Sequence, residues 1–371
     1  MEKNKKTKIL HLNLELDRRL IFLSDIHGDV FLFKKILKEI NFTTSDYLFI
    51  NGDMIEKGDS GCNLAMLDYM LELNQLKNVF FVAGNCDEIF RFILPPVDKK
   101  RFLHYVLDKK KSIINDLAEK LNYNLTLEMD IADFVDKIGQ KYSKYFDFID
   151  SLPDACFIND KIILVHGGIL DSNNISQYAL DLQKFDNFMQ ISPKQDKLMI
   201  VGHYPTKNYH NDIACVNPIY DKTKNIISID GGNNVVKGGQ INVVIFENLN
   251  DMNYSYLAFD HYPKYSVKED ISYQEPQKKI NISFKNNEVD ILAKDLDFYL
   301  IRLKDTNDEM WVNEDFIFKI EDKHYCYEGC NTFLNLKKGD KISIIKKANP
   351  YSLIKHQGLI GLIETKYINE I

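Results

Sequence analysis

Five short stretches of this chain set aspartate, histidine or asparagine beside glycine. They are Ser24-Asp25-Ile26-His27-Gly28-Asp29, Asn51-Gly52-Asp53-Met54-Ile55-Glu56-Lys57-Gly58, Gly84-Asn85-Cys86-Asp87-Glu88, His166-Gly167-Gly168 and Gly202-His203-Tyr204-Pro205. Asp25, His27, Asp53, Asn85, His166 and His203 offer carboxylate, amide and imidazole donors, and no thiolate is required. Such donors suit Mn, Fe or Zn in an open site rather than a cysteine-based structural zinc. The set exceeds what one ion needs if positions stay free for water and substrate. Two ions sharing one carboxylate use it better: metals ~3.5–4 Å apart clamp phosphoryl oxygens and deprotonate a bridging water. Any one stretch alone reads as an ordinary turn. All of them in order, each behind an apolar run, read as a metal site.

Those runs are Ile21–Leu23, Tyr47–Ile50, Val79–Val82, Ile162–Val165, Leu198–Val201 and Ile226–Ile229. Each is short, rich in Ile, Val or Phe, and ends at Gly, Asp, Asn or His, which fits strands buried on both faces. Val30–Ile40 and Leu64–Leu73 repeat apolar residues at helical spacing between them. Strand alternating with helix is an α/β pattern, and in open α/β sheets ligands collect outside the carboxyl ends of the strands. Ile113, Ile114, Leu117 and Leu121, then Phe134, Ile138, Tyr142, Tyr145, Phe146 and Ile149, follow helical spacing and predict a helical insertion over about 92–148. Beyond Tyr262 the pattern shifts to short β segments: Lys279–Phe284, Phe298–Leu303, Glu309–Val312, Lys341–Lys346, Ser352–Lys355 and Leu359–Ile363. Tyr299-Leu-Ile-Arg before Trp311-Val and Phe316-Ile is echoed by Ser352-Leu-Ile-Lys before Gly361-Leu and Tyr367-Ile. With Lys338-Gly339-Asp340 and the hairpin at Gly358, this region resembles bacterial SH3-like modules. The expected division is a catalytic domain over 1–265 and a linker plus SH3-like small β-barrel over 266–371, with Trp311 in the barrel core.

The order D-x-H-G, G-D-x(4)-G, G-N-x-[DE], H-G-G, G-H resembles the calcineurin-like metallophosphoesterases. Within them it is most similar to the PPP-type protein serine/threonine phosphatases and their dinucleoside-tetraphosphatase relatives. Asp147–Pro153 before Ile162–Gly168, the Gly-His-Tyr-Pro form of the fifth motif, and Ile229-Asp230-Gly231-Gly232 followed by Ile241–Phe246 point to that branch. The resemblance covers about residues 18–260. It implies an α/β core of two sheets packed face to face and flanked by helices. It implies two divalent metal ions, Mn first, with Fe or Zn as alternatives. Asp25 and His27 hold one ion, Asp53 bridges, and Asn85, His166 and His203 complete the other. A metal-bridging hydroxide then attacks phosphorus in line. The catalytic candidates are Asp53, Asn85, Cys86, Asp87 and Lys57; the substrate-binding candidates are Asn85, Lys57 and Arg91. Asp230 is expected to support the sheet end.

Three positions depart from that pattern. Cys86 stands where the phosphatases have a histidine thought to protonate the leaving group, and a thiol with pKa ~8.5 is a weaker acid than imidazolium. Glu56-Lys57 replaces an Asp-Arg pair, so the cation keeps its charge but loses the bidentate fork. No arginine lies between Gly168 and His203. Gly-Asn-Cys-Asp also resembles the third motif of small bacterial phosphodiesterases. A protein serine/threonine phosphatase is therefore the leading expectation. A phosphodiesterase or dinucleoside-polyphosphate hydrolase, and a catalytically weakened phospho-binding scaffold, are the alternatives.

The net charge of −7 argues against sequence-independent binding to nucleic acid or anionic membranes. Phosphorylated protein or a small phosphoester is the expected substrate, and the SH3-like module is expected to recruit a peptide or protein partner. Only Arg18, Arg19, Arg91, Arg101 and Arg302 are arginines. Any phosphate site must therefore lean on metal and lysine. The 6 cysteines are scattered, with no disulfide framework, and Cys326-x3-Cys330 reads as two ordinary thiols on a strand pair. Neither a secretory leader nor an apolar run of membrane length stands out, so a reduced, cytoplasmic protein is expected.

Overall fold

The computed structural model describes residues 6–92, 99–176, 178–282 and 287–369. The chain divides into two compact units. One takes Met1–Tyr204, Pro218–Val235 and Ile241–Phe259; the other takes Pro205–Asn217, Val236–Gln240 and Asp260–Ile371.

In the first unit, a six-stranded sheet runs in the order β1 (Ile9–Leu12), β5 (Ala155–Ile158), β6 (Ile162–Val165), β7 (Leu198–Val201), β9 (Ile226–Ser228), β8 (Ile219–Asp221). A five-stranded sheet runs β11 (Tyr254–Phe259), β10 (Ile241–Phe246), β2 (Leu20–Leu23), β3 (Tyr47–Asn51), β4 (Val79–Val82). The strands β2, β3 and β4 are parallel, as are β6, β7 and β9. The period-two alternation of side chains explains why these runs are apolar throughout. Leu20, Phe22 and Phe49 pack with Ile162, Leu164, Ile200 and Ile227 in a core between the sheets. Ile21, Leu23, Leu48 and Ile50, on the opposite face, pack under helices.

Those helices are α1 (Val30–Glu39), α2 (Cys62–Leu73), α3 (Ile89–Phe92), α4 (Lys99–Lys109), α5 (Ile113–Lys120) and α6 (Ile131–Ser151), with the short α7 (Ala179–Gln183) and α8 (Phe188–Ile191) later. Their starts follow capping chemistry: Asp29 accepts from the Leu32 amide, Asp130 from the amides of Ala132 and Asp133, and Ser112 closes a capping box with Asn115. The predicted insertion is helical in α4, α5 and α6, whose Val106, Ile114, Leu117, Phe134 and Ile138 join the same core as α1 and α2. No described helix is long and apolar enough to cross a membrane.

The second unit is antiparallel β. It contains β12 (Lys264–Val267), β13 (Asn281–Ile282), β14 (Glu288–Asp295), β15 (Phe298–Leu303), β16 (Glu309–Asn313), β17 (Ile317–Ile320), β18 (Lys323–Cys326), β19 (Gly329–Cys330), β20 (Lys341–Lys346), β21 (Tyr351–His356), β22 (Leu359–Glu364) and β23 (Ile368–Asn369). Within the expected strand Lys279–Phe284, residues 283 and 284 lie outside the described residues. Two five-stranded sheets form, β16-β15-β14-β18-β17 and β22-β21-β20-β12-β23, with a small β13-β19 pair. The sequence echo has a structural basis. Three strands, a 3-10 turn (Glu314–Phe316 or Thr365–Tyr367) and a last strand occur twice, and one further strand, β18 or β12, fills the gap in each sheet. The region is thus more than the one small barrel expected. Trp311 is a correction: it is 43% exposed, because the alternation of β16 turns Met310 and Val312 inward and Trp311 out. Cys326 and Cys330 are buried, unpaired thiols that donate to the carbonyls of Glu328 and Ile360.

Candidate metal centre

Asp25 and His27 follow β2, Asp53 follows β3, Asn85 and Cys86 follow β4, His166 follows β6 and His203 follows β7. The turns lock together through the backbone. The Asp25 amide donates to the Gly52 carbonyl at 3.1 Å, that of His27 to Asp53 at 3.0 Å, and that of Gly28 to Met54 at 2.8 Å. Asp25 (φ 54), His27 (φ 51), Asp53 (φ 50), Glu56 (φ 71), Lys57 (φ 65) and His203 (φ 65) all adopt left-handed backbone. That conformation is costly for residues with a Cβ and gathers at functional sites. Gly84 is required by close approach: a Cβ there would run into the backbone and carboxylate of Asp53.

One carboxylate sits between two imidazoles. Asp53 Oδ2 is 3.8 Å from His27 Nε2, and Asp53 Oδ1 is 3.2 Å from His166 Nε2. The donor atoms of Asp53, His166 and His203 lie within 4.8 Å of one another, and so do those of His27, Asp53 and Cys86. Asp25 Oδ1 lies 3.9 Å from His27 Nε2. Partners on the far side orient the rings: His166 Nδ1 meets the Asn51 carbonyl at 2.7 Å, and His203 Nε2 meets Asp186 Oδ1 at 3.1 Å. Outer partners of this kind fix the tautomer and aim of metal-binding histidines. Asp25 Oδ1 and Asn85 Oδ1 are buried acceptors with no hydrogen-bond partner. Buried polar atoms are rarely left so, and an unpartnered carboxylate oxygen beside the His27 imidazole fits a bound cation. Asp25, His27, Asp53, His166 and His203 thus lie close together, and their chemistry suits divalent ions.

The charges reflect the same crowding. Burial is the largest influence on Asp53, yet His166, His27 and Lys57 hold its carboxyl well below the usual range. Burial would also lower His166, but Asp53 and Asp25 outweigh it and raise the ring to about 10. Burial, then Lys57, pushes His27 down to about 3, so its ring is neutral. Burial, then Asp53, pushes the Cys86 thiol well up.

The other candidates are placed as follows. Cys86 donates its amide to Asp53 Oδ1 at 2.8 Å, and the Asn85 amide nitrogen faces Cys86 Sγ at 3.5 Å. Lys57 Nζ lies 3.2 Å from His27 Nε2. Asp87 accepts from the amides of Met54, Ile55 and Gly84, so both of its oxygens hold the Asp53 and Asn85 turns in register. Asp230 is buried and accepts from the Gly232 amide at 2.7 Å. The side chain of Arg91 lies outside the described residues.

Some residues that shape the centre were not legible. Glu56 is buried: it accepts from Tyr105 Oη at 2.7 Å, and from Ser112 Oγ and the Ile113 amide at 2.8 Å each. It ties the metal-site turn to the insertion. Asp186, the partner of His203, gave no signal in a polar stretch. It also lines a cleft of about 1120 Å³ beside Gly168, in which Lys184 is the lining cation.

Residues 18–246 match the sequence model of a family described as calcineurin-like phosphoesterase. A serine/threonine-protein phosphatase T of Aspergillus oryzae is 22% identical over 193 residues, which are 52% of this chain and 33% of that protein. The chain therefore spans only about a third of the length of that curated relative. A solved protein serine/threonine phosphatase from Saccharomyces cerevisiae is 15% identical, covers 70% of this chain and 86% of its own, and has a TM-score of 0.42. A cold-active protein-tyrosine phosphatase of a psychrophilic Shewanella is 15% identical, covers 69% and 83%, and has a TM-score of 0.37.

Proposed function

Because the chain belongs to the calcineurin-like phosphoesterase family, we propose that it is a metal-dependent hydrolase of phosphate monoesters, of the protein serine/threonine phosphatase type. The observation that carries this reading is Asp53, whose two oxygens each face the Nε2 atom of a different histidine. A carboxylate so placed can bridge two cations. Asp25, His27 and Asp53 would hold one, and Asp53, Asn85, His166 and His203 the other, Mn2+ being the first choice. When bound, divalent ions activate water for attack on phosphorus and neutralise phosphoryl charge.

The chain's own groups orient and protonate. Asn85 keeps a buried carbonyl oxygen without a hydrogen-bond partner, free to take a metal, while its amide nitrogen faces Cys86. Lys57 supplies positive charge where a bidentate arginine is lacking. Cys86, partly buried and with its thiol pushed up by desolvation, stays a thiol at neutral pH and has a proton to give, though it gives it less readily than imidazolium. This favours the second reading for part of the substrate range: leaving groups that need little protonation, as in aryl phosphates, diesters and pyrophosphates. The second unit, with its repeated sheets and outward Trp311, is assigned within the same proposal to recruiting a peptide or protein through SH3-like modules.

The test is a side-by-side assay of the metal-replete chain on a phosphoserine peptide, an aryl monophosphate, an aryl diester and a dinucleoside tetraphosphate. Turnover of the monoesters above the others is expected. Turnover confined to the dinucleotide or the diester would overturn the monoesterase reading.

A further inference from the structure

Gln183, the last residue of α7, stands between two carboxylates. Its Nε2 donates to Asp154 Oδ1 at 2.8 Å and to Glu88 Oε1 at 3.2 Å, and all three side chains are buried. A carboxamide nitrogen carries two hydrogens, so it can serve both acids at once. Removing it would take a donor from each carboxylate out of reach of water, where such losses weigh most.

Both acids are tied to the turn that carries Asn85. Glu88 lies three residues after Asn85, in a turn closed by the Ile89 amide donating to the Cys86 carbonyl at 3.3 Å. Asp154 follows Pro153, whose carbonyl accepts at 2.8 Å from the amide of Ala83, two residues before Asn85. Gln183 is thus bonded to the chain on either side of that ligand.

The backbone of the same short helix holds the loop of His166. The Leu182 carbonyl accepts from the amides of Gly167 at 2.7 Å and Gly168 at 3.1 Å, directly after His166. A Cβ on Gly167 would run into the Leu182 carbonyl and the Gln183 backbone, so the loop rests on α7 without a gap. None of these bonds uses a donor atom of the candidate metal centre.

We propose that Gln183 is a positioning residue for the metal position to which Asn85 and His166 both contribute. Its side chain fixes the Asn85 turn through Glu88 and Asp154, and its helix fixes the His166 loop, so the spacing of the two ligands follows from one residue. Gln183 itself touches neither metal nor substrate. This inference rests on the metal reading given above and adds a residue that lies outside all five motifs.

The experiment measures Mn2+ binding to the metal-stripped full chain by electron paramagnetic resonance of the free ion. It compares wild type, Gln183→Met, Asn85→Ala, the double variant and Ser192→Ala. Methionine keeps the length of the side chain and removes both donors. Gln183→Met should bind Mn2+ about tenfold to a hundredfold more weakly, the range for groups that orient metal ligands. Its loss and that of Asn85→Ala should not add in full, because Gln183 acts in part through Asn85. Ser192→Ala removes a buried oxygen of the same unit that accepts from Gln195 Nε2 at 3.0 Å, and it should bind as wild type does. Should Gln183→Met fail to fold, wild type decides: by reciprocity, loading with Zn2+ must slow hydrogen exchange of the Gln183 side-chain amide. Wild-type affinity in Gln183→Met, full additivity with Asn85→Ala, an equal loss in Ser192→Ala, or unchanged exchange on loading would overturn the proposal. Binding of no metal by wild type would overturn the functional reading itself.

Discussion

Replacing Glu56 by glutamine exchanges one oxygen for an amide and removes one buried charge. In the fold, Oε1 accepts from Ser112 Oγ and the Ile113 amide, while Oε2 meets Tyr105 Oη. Glutamine reproduces this network: its oxygen accepts the first two, and its amide donates to the phenol oxygen. Burial, only partly offset by these donors and by Lys57, raises the Glu56 carboxyl from 4.5 to about 7. A carboxyl raised in the fold holds its proton more tightly there than in the unfolded chain. Its contribution to stability is therefore fully present below about pH 4.5 and is lost as pH rises through about 7. At about 1.4 kcal/mol per unit, the loss amounts to about 3 kcal/mol. Wild type and Glu56→Gln, metal-free in EDTA, should differ in unfolding free energy from urea denaturation by less than about 1 kcal/mol at pH 5, with the variant more stable by about 3 kcal/mol at pH 8. Hydrogen exchange at the Ile113 amide should slow in parallel at pH 8. A difference that does not change with pH, or a variant that is less stable at pH 8, would refute the reasoning.

Two further outcomes are expected. Gly84→Ala places a methyl group against Asp53; it should cost about 1–3 kcal/mol in urea unfolding and weaken Mn2+ binding, since the displaced carboxylate is the proposed shared ligand. Cys86→His should reduce the dependence of kcat on the leaving-group pKa across a series of aryl and alkyl phosphates, because imidazolium is the stronger proton donor. An unchanged slope would remove Cys86 from the protonation step.

The candidate metal centre was legible because its signal is local. Each donor lies within a few residues of a glycine and just behind a run such as Leu48–Ile50 or Leu164–Val165, where burial on both faces leaves no polar residue until the strand ends. β1 was not legible: Ile9–Leu12 is only half-buried and includes His11, so it lacks the continuous apolar run that marked its neighbours. Glu56 was legible as a departure but not as an anchor, because its partners Tyr105, Ser112 and Ile113 come from an insertion with no fixed spacing to it. Asp87 looked catalytic by its position in the motif, and only the backbone amides around it reveal a loop clamp. Trp311 was assigned to the core by size, whereas the alternation of β16 decides its face. Arginine scarcity now has a local meaning. Arg18 stacks on Tyr47, Arg19 pairs with Asp46 and Arg302 with Glu309, and Lys184 is the cation lining the cleft beside Gly168.

The most direct measurement compares wild type with Asp53→Asn, each metal-stripped and reloaded with Mn2+, for bound metal and for aryl phosphate hydrolysis. The account predicts an unchanged far-ultraviolet spectrum, loss of bound metal, and turnover lower by about a thousandfold or more, since the shared carboxylate holds the metal-based part of catalysis. Turnover within about tenfold of wild type, with Asp53 absent as a ligand, would contradict it.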